Sequence, residues 1–219
     1  MHLAKLTRFV ARLARDEGFL WGCVNAGQRA CTSLRSAFAA FALDAPGLHL
    51  GARSVIRGRR HISFGRGVHV GGSIWIEAVT RYGADDFEPR IAIGDGSSFS
   101  DGVHITCIDS IVIGRDVLMG SRVYISDHGH GIYKGGRQSS PRVPPTARPL
   151  GGGGPVAVGD KVWIGDNVVI VGPVTIGSGA VIGANSVVRH DVPANSIVAG
   201  APARLLKHFD ENSSTWMSQ

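Results

Sequence analysis

The sequence predicts an all-β fold: a coil of short strands stacked in parallel ladders, with a helical segment before it and a short helix after it. Three observations predict this architecture. An aliphatic residue returns every six positions, glycine reaches 31 of 219 residues, and two stretches without the repeat interrupt the pattern. The predicted coil covers residues 48–200, between a helical cap at 1–47 and a C-terminal segment at 201–219.

The six-residue spacing is clearest in the C-terminal half of the chain. The recurring residues are Val158, Ile164, Ile170, Ile176, Ile182 and Val188, and Val168, Val174, Ala180 and Ser186 stand four places after the middle members. Neither the helical period nor plain alternation produces this spacing. We therefore expect each phrase to form one short strand and one sharp turn, with both marked positions pointing inward and glycine relieving the turn.

The same spacing appears earlier, interrupted in each run by a shift of two residues. The first run is Leu50, Ile56, Phe64, Val70 and Ile76, and the second is Ile93, Phe99, Ile105, Ile113, Met119 and Ile125. Outside the pattern lie residues 77–89, rich in charge, and residues 129–155, rich in proline and glycine. The second stretch is incompatible with a continuing strand. We expect both to be loops ejected from the coil, either functional or disordered.

Both ends of the chain are predicted to be helical. An apolar stripe with basic residues beside it is formed by Leu3, Leu6, Phe9, Val10 and Leu13. A second helix is expected over 28–42, and a short helix or frayed end after Lys207. We interpret the N-terminal helices as a cap on the open end of the coil. Docking of residues 1–20 on a membrane surface is the alternative, and both roles are compatible.

The charge of the chain is unevenly distributed. Residues 1–60 carry ten basic and three acidic side chains, a net +7, whereas the remainder carries −1. This fits an anionic membrane surface or a phosphorylated ligand better than a nucleic-acid groove, so no nucleic acid partner is expected.

The cysteines and the apolar runs bear on location. Cys23, Cys31 and Cys107 have no metal-type spacing, which indicates small buried hydrophobes in a reducing compartment rather than a disulfide framework. The N-terminal region has no run long enough to span a bilayer and no convincing signal-peptide cleavage site. We expect a cytoplasmic protein, with peripheral contact to the inner face of the membrane as an addition.

Three phrases carry a family resemblance: YISDHGHGIY at 124–133, GPVAVGDKVWIGDNVVIVGPVTIGSGAVIGANSVV at 154–188, and DVPANSIVAGAPARLLK at 191–207. They resemble the hexapeptide-repeat O-acetyltransferases, and most of all the branch that modifies capsule, exopolysaccharide and lipopolysaccharide. The resemblance implies a left-handed triangular β-helix and a homotrimer with active sites between neighbouring prisms. It also implies transfer of an acetyl group from acetyl-CoA to a sugar hydroxyl, without a metal.

Acetyl transfer to an alcohol needs a base for the hydroxyl proton, and histidine accepts and returns a proton near neutral pH. His128 matches the catalytic histidine of the family, at the point where the second loop leaves the coil. His130 is the rival candidate, and a pair of solvated turn residues is the remaining interpretation. Asp127 is expected to orient an imidazole, unless it is an ordinary turn aspartate.

The resemblance also implies a set of coenzyme-binding positions: Trp163, Asp166, Ala184, Arg189, His190, Arg204 and Lys207. Trp163 stands where the family places a tryptophan beside the cleft, with packing between subunits as the alternative. The backbone amide of Ala184 is expected to contact the coenzyme. Arg189 and His190 replace a Thr-Lys pair of some relatives, and a guanidinium suits a phosphate.

The acceptor is expected between His128 and the two loops. Tyr82, Asp85 and Asp86 are candidates for hydrogen bonds to sugar hydroxyls, and Arg148 is available for an acidic sugar. An antibiotic is the alternative acceptor.

Two rival functions use the same fold. One is a non-catalytic scaffold, which predicts no binding of acetyl-CoA. The other is a metal-dependent hydratase resembling the γ-class carbonic anhydrases, with His104, His128 and His130 as zinc ligands.

Overall fold

The computed structural model describes residues 18–218, so the predicted apolar stripe between residues 3 and 13 lies outside the described part. The described chain begins with one α-helix, α1 (Phe19–Ala42), and continues almost entirely as short strands. The fold is therefore mostly β, with parallel sheets and one N-terminal helix, in agreement with the predicted class.

Three parallel sheets form the body of the molecule. Sheet A contains β1 (His49–Leu50), β4 (His69–Val70), β9 (Ser98–Phe99), β12 (Leu118–Met119), β17 (Trp163–Ile164), β20 (Val181–Ile182) and β22 (Ser196–Ala199). Sheet B contains β2 (Val55–Arg57), β5 (Trp75–Ala78), β10 (His104–Cys107), β13 (Tyr124–Ser126), β18 (Val169–Val171) and β21 (Val187–Val188). Sheet C contains β3 (Ile62–Phe64), β8 (Arg90–Ile93), β11 (Ser110–Ile113), β16 (Val156–Val158) and β19 (Val174–Ile176). The chain visits A, B and C in the same cyclic order.

Two long excursions leave this body, and both depart from sheet B and return in sheet C, at what we call the B–C corner. The first carries the antiparallel pair β6 (Arg81–Tyr82) and β7 (Asp85–Asp86). The second carries β14 (Gly129–His130) and β15 (Leu150–Gly151), also antiparallel. No strand of the three sheets continues through residues 129–155, but the expectation that this stretch holds no strand is wrong at Leu150–Gly151, where a two-residue antiparallel pair forms. Residues 77 and 78 belong to β5 rather than to the first excursion.

The six-residue pattern forms the core. All ten predicted inward positions from Val158 to Val188 are buried, which confirms the spacing. In the two earlier runs the predicted residues are likewise buried, except Ile56, which is half-buried. The two-residue shift of the second run falls at the B–C corner, where Ile108 and Asp109 lengthen the connection between β10 and β11.

Glycines allow the turns of successive coils to stack closely. A Cβ atom on Gly94 would lie 2.5 Å from the carbonyl oxygen of Gly114, and one on Gly114 would meet the backbone of Gly159 at 2.6 Å. No side chain fits such a gap against backbone, so these turn positions after the strands of sheet C require glycine.

Helix α1 packs its C-terminal half on the first strand of sheet A. The Leu50 amide donates to the Ser36 hydroxyl at 2.9 Å, and the Arg35 guanidinium donates to the Leu50 carbonyl at 2.8 Å. Among residues 18–218 this helix starts at Phe19, ahead of the predicted start at 28. Its outer face exposes Phe38 and Phe41. Within the described residues, no helix combines the length and apolarity needed to cross a bilayer.

The predicted short C-terminal helix is wrong. Strand β23 (Arg204–Asp210) pairs antiparallel with β22, and β24 (Thr215–Ser218) pairs antiparallel with β23. The open edge of β22 offers unpaired backbone groups, and pairing with them outweighs local helix formation. The rings of Phe209 and Trp216 pack edge to face at 5.3 Å and hold the hairpin together.

Candidate functional site

A buried aspartate–histidine pair lies at the B–C corner after β13. Asp127 Oδ1 and His128 Nδ1 are 2.8 Å apart, and their side chains are 0% and 8% exposed. The structure therefore brings together the two residues that the sequence predicted as orienting acid and base. Neither side chain of this contact is freely solvated.

The Asp127 carboxylate is surrounded by donors. The backbone amides of Ile108 and Asp109 donate to it at 2.9 and 2.8 Å, and the Cys107 thiol donates at 3.1 Å. The two residues inserted at this corner one coil earlier supply those amides. Burial by itself would raise the pKa of Asp127, but the hydrogen bonds from His128, the two amides and the thiol outweigh it and lower that pKa. Asp127 is therefore charged at neutral pH.

The cysteines differ from the prediction in part. Cys107 is buried, and burial together with the neighbouring Asp127 charge raises the pKa of its thiol, so it stays protonated. Cys23 and Cys31 are exposed on α1, so the expectation that they are buried hydrophobes is wrong. Both positions lie on a side of the helix that does not face the coil.

A groove of about 320 Å³ opens beside His128 on the outer face of sheet B. It is lined by Trp75, Glu77, Val79, Arg81, Tyr82, His104, Thr106, Tyr124, His128, Gly129, His130 and Leu150. The strands supply its floor and the two excursions supply its walls. Of the predicted acceptor residues, only Tyr82 lies in this lining.

The floor of the groove carries a ladder of rings. His104 stacks on Trp75 with 5.2 Å between ring centroids and meets Tyr124 edge to face at the same distance. Burial lowers the pKa of His104, the His128 charge acts in the same direction, and Glu77 opposes them. His104 is therefore neutral at pH 7.

His130 stands at the wall of the groove, where the two excursions touch. Its Nδ1 lies 3.3 Å from the Tyr82 hydroxyl, which itself donates to the Thr146 carbonyl at 2.7 Å. His130 is exposed and has no carboxylate partner among the described residues. This contact makes His130 part of the joint between the excursions.

The other predicted acceptor residues lie elsewhere. Asp85 and Asp86 are exposed at the tip of the first hairpin, and Asp86 faces Arg81 at 3.8 Å. Arg148 donates to the Tyr133 hydroxyl at 2.8 Å and to the Val143 carbonyl at 2.9 Å. Arg148 thus connects two parts of the second excursion by hydrogen bonds.

The predicted coenzyme-binding residues fall into two groups. Arg189 and His190 line a cavity of about 780 Å³ at the B–C corner, below the return of the second excursion. The other group lies on sheet A and its turns into sheet B, and comprises Trp163, Asp166, Ala184, Arg204 and Lys207. Trp163 is 54% exposed, as its predicted outward position requires. One chain therefore holds the two groups on different edges.

Residues 18–218 contain no group of three or more histidines, cysteines or acidic residues placed to hold a metal ion. The position of Trp75 and Glu77 in the groove was not predicted from the sequence. The available signal was their outward position in β5, in line with β10 and β13.

Comparison with known proteins agrees with this architecture. A family model described as bacterial transferase hexapeptide (six repeats) matches residues 155–190. The Escherichia coli (strain K12) protein named "Putative lipopolysaccharide biosynthesis O-acetyl transferase WbbJ" is 39% identical over 162 residues, covering 74% of this chain and 79% of that protein.

Two solved structures have a similar fold. The hexapeptide-repeat-containing acetyltransferase VCA0836 of Vibrio cholerae is 28% identical with a TM-score of 0.51, over 82% of each chain. AntD, an N-acyltransferase of Bacillus cereus whose S84A mutant was crystallised with dTDP-4-amino-4,6-dideoxyglucose and coenzyme A, is 19% identical with a TM-score of 0.60, over 77% of this chain and 84% of its own.

The fold and the matches define an enzyme of the acyltransferase class. More particularly, the chain belongs to the family of hexapeptide-repeat acetyltransferases, and it is similar to a member assigned to lipopolysaccharide biosynthesis.

Proposed function

We propose that this protein transfers an acetyl group from acetyl-CoA to a hydroxyl of a sugar or surface-polysaccharide precursor, with His128 as the general base. The observation that carries the proposal is the buried Asp127–His128 pair at the end of a groove. A charged carboxylate at His128 Nδ1 keeps a proton on that nitrogen. It leaves Nε2 unprotonated as the ring atom that accepts a proton.

The proposed step needs no covalent enzyme intermediate. His128 Nε2 takes the proton of the acceptor hydroxyl as its oxygen attacks the thioester carbonyl, and it returns that proton to the leaving thiolate. The Asp127 carboxylate stabilises the imidazolium that exists between these two transfers. The low exposure of the pair keeps water from this charge separation.

The residues of the second cavity fit a phosphorylated coenzyme. Its volume of about 780 Å³ is within the range of cofactor sites, and Arg189 offers a forked donor for a phosphate. Acetyl-CoA would supply the activated acetyl group there.

We propose that the coenzyme lies between two chains of a homotrimer. The support is the separation of the two predicted groups: Arg189 and His190 near the catalytic corner, and Trp163, Asp166 and Ala184 on another edge. In such a trimer, the second group of one chain would face the first group of its neighbour across the coenzyme. We further propose that the three sheets wind as a left-handed triangular prism, which the cyclic order of the sheets and the family membership support. We also propose a cytoplasmic location, where acetyl-CoA and the precursors of surface polysaccharides are available.

The decisive experiment measures release of coenzyme A from acetyl-CoA with a panel of nucleotide sugars, lipid-linked glycans and oligosaccharides. We expect His128→Ala to lose turnover by about 10²- to 10⁴-fold while it keeps coenzyme A binding. His130→Ala should retain most turnover, because His130 lacks a carboxylate partner in the described structure. The reverse ranking of the two variants would transfer the role to His130.

Three other measurements separate the rival functions. A scaffold would show no rise in melting temperature with coenzyme A, since a ligand that binds only the folded state must raise it. A hydratase would lose its activity on metal removal, and an antibiotic acetyltransferase would turn over its drug but no sugar.

A further inference from the structure

We infer that Glu77 is the acceptor-binding carboxylate of the groove, and that the acceptor presents a neutral, polyhydroxylated sugar ring to it. This inference rests on the proposed function, because it names the acceptor side of the same site. Glu77 is one of the groove residues that the sequence pattern did not single out. No other acidic side chain contributes to the lining of this groove among the described residues.

The register of sheet B places Glu77 on the other side of strand β10 from strand β13, which leads to His128. Thr106 pairs with Glu77 on one side and with Ser126 on the other, so Glu77 and Ser126 are two strand spacings apart, about 9.6 Å. His128 follows Ser126 by two residues. The Glu77 carboxylate and the His128 imidazole thus lie on either side of strand β10, and Thr106 and His104 of that strand line the groove between them.

Neighbouring side chains hold the Glu77 carboxylate in place. Trp75 Nε1 donates to Glu77 Oε2 at 2.8 Å, and Arg57 Nη1 lies 3.7 Å from Oε1. A carboxylate has about four acceptor sites, so these contacts leave sites for hydroxyl groups in the groove. The Glu77 side chain is 24% exposed, which leaves it accessible to a ligand.

Trp75 positions Glu77 and does not offer a stacking face. The Arg57 guanidinium lies 5.2 Å from the Trp75 ring, and His104 stacks on the same indole at 5.2 Å. These two residues come from the strands on either side of β5, so neighbours in the sheet occupy both faces of the ring. The acceptor is therefore recognised by hydrogen bonds to its hydroxyl groups and not by stacking on Trp75.

The charges around the groove favour a neutral ring. A fixed carboxylate at one end repels an acidic sugar, and the cation in the lining, Arg81, faces Asp86 at 3.8 Å. Arg148, the predicted partner for an acidic sugar, is engaged within the second excursion. The groove therefore selects hydroxyl donors over carboxylates.

The test uses methyl glycosides of neutral hexoses and the matching hexuronic acids as acceptors. Glu77→Gln should raise the KM for the neutral glycoside about 10- to 100-fold, the effect of losing a charge-assisted hydrogen bond. The KM for acetyl-CoA and the coenzyme-induced rise in melting temperature should stay unchanged. The wild type should prefer the neutral glycoside, and Glu77→Gln should narrow that preference. Trp75→Phe should raise the same KM by a smaller factor.

Glu88→Gln is the matched control, since Glu88 is exposed and outside the groove lining. Saturation-transfer NMR with the same neutral glycosides provides a readout that is independent of turnover. Binding lost in Glu77→Gln with no turnover in any protein would support the sugar site and overturn the proposed reaction. Turnover by the wild type with an acceptor KM within twofold in Glu77→Gln would overturn the inference alone. Absence of both binding and turnover would overturn both.

Discussion

Replacing Asp127 by asparagine tests the proposed role of the buried pair most directly. The amide keeps one oxygen and turns the other acceptor into a donor. With its oxygen in the place of Oδ2, it still accepts from the Asp109 amide, which lies 2.8 Å from Oδ2, from the Ile108 amide, which lies 3.2 Å from Oδ2, and from the Cys107 thiol. The opposite orientation leaves a buried backbone donor unsatisfied, at a cost of about 1–3 kcal/mol. The first orientation is therefore favoured.

That orientation points an NH₂ group at His128 Nδ1, which must then act as an acceptor. The proton moves to Nε2, so the ring no longer has a base facing the acceptor hydroxyl. The equivalent wrong tautomer costs about 10⁴-fold in serine-protease triads. We expect a loss of turnover of about 10²- to 10⁴-fold with unchanged coenzyme A binding.

The assay is coenzyme A release, together with ¹⁵N NMR of the imidazole nitrogens to identify the tautomer. Asp109→Asn is the control, because its side chain is exposed and its backbone amide remains in place. Turnover of Asp127→Asn within threefold of the wild type, with the Nε2–H tautomer present, would refute the reasoning.

Three further predictions concern stability and packing. Because the pKa of Asp127 is lowered on folding, its stabilising effect is complete above its ordinary pKa and is lost as the pH falls through the lowered value. Urea denaturation from pH 7 to pH 3 should thus find a shrinking difference between wild type and Asp127→Asn, and a constant difference would contradict this. A thiol reagent should modify the two exposed cysteines of α1 in the native protein and Cys107 only after unfolding, since that thiol is buried and protonated. Early modification of all three would count against the packing. Gly94→Ala should destabilise the protein by about 1–3 kcal/mol through its contact with backbone, whereas Gly136→Ala, in open space, should not. Equal melting temperatures would disprove the close stacking.

The repeat was predictable because inward positions recur at a fixed spacing, and burial follows that spacing from Val158 to Val188. The contact between Asp127 and His128 was predictable because the two residues are adjacent in sequence. The C-terminal hairpin was not predictable, since β23 depends on the open edge of β22, which is a long-range partner.

Glu77 escaped notice for a related reason. The strands that connect Glu77 to His128 across the sheet carry Thr106 and Ser126, which lie 29 and 49 residues away in sequence, and only the register of sheet B aligns them with Glu77. The contacts of Arg148 within the second excursion were not predictable, because the sequence does not reveal which carbonyls its guanidinium contacts.

Both long excursions of the chain emerge at one corner of the body and touch each other through Tyr82 and His130. Their lengths can change without altering the register of any sheet, because the ladders on both sides are completed by other strands. The walls of the groove can thus be changed by exchanging these two inserts, while the buried Asp127–His128 contact, which precedes the second insert, remains in place. Swapping the two segments between relatives is a direct route to redirecting such an enzyme to a different acceptor.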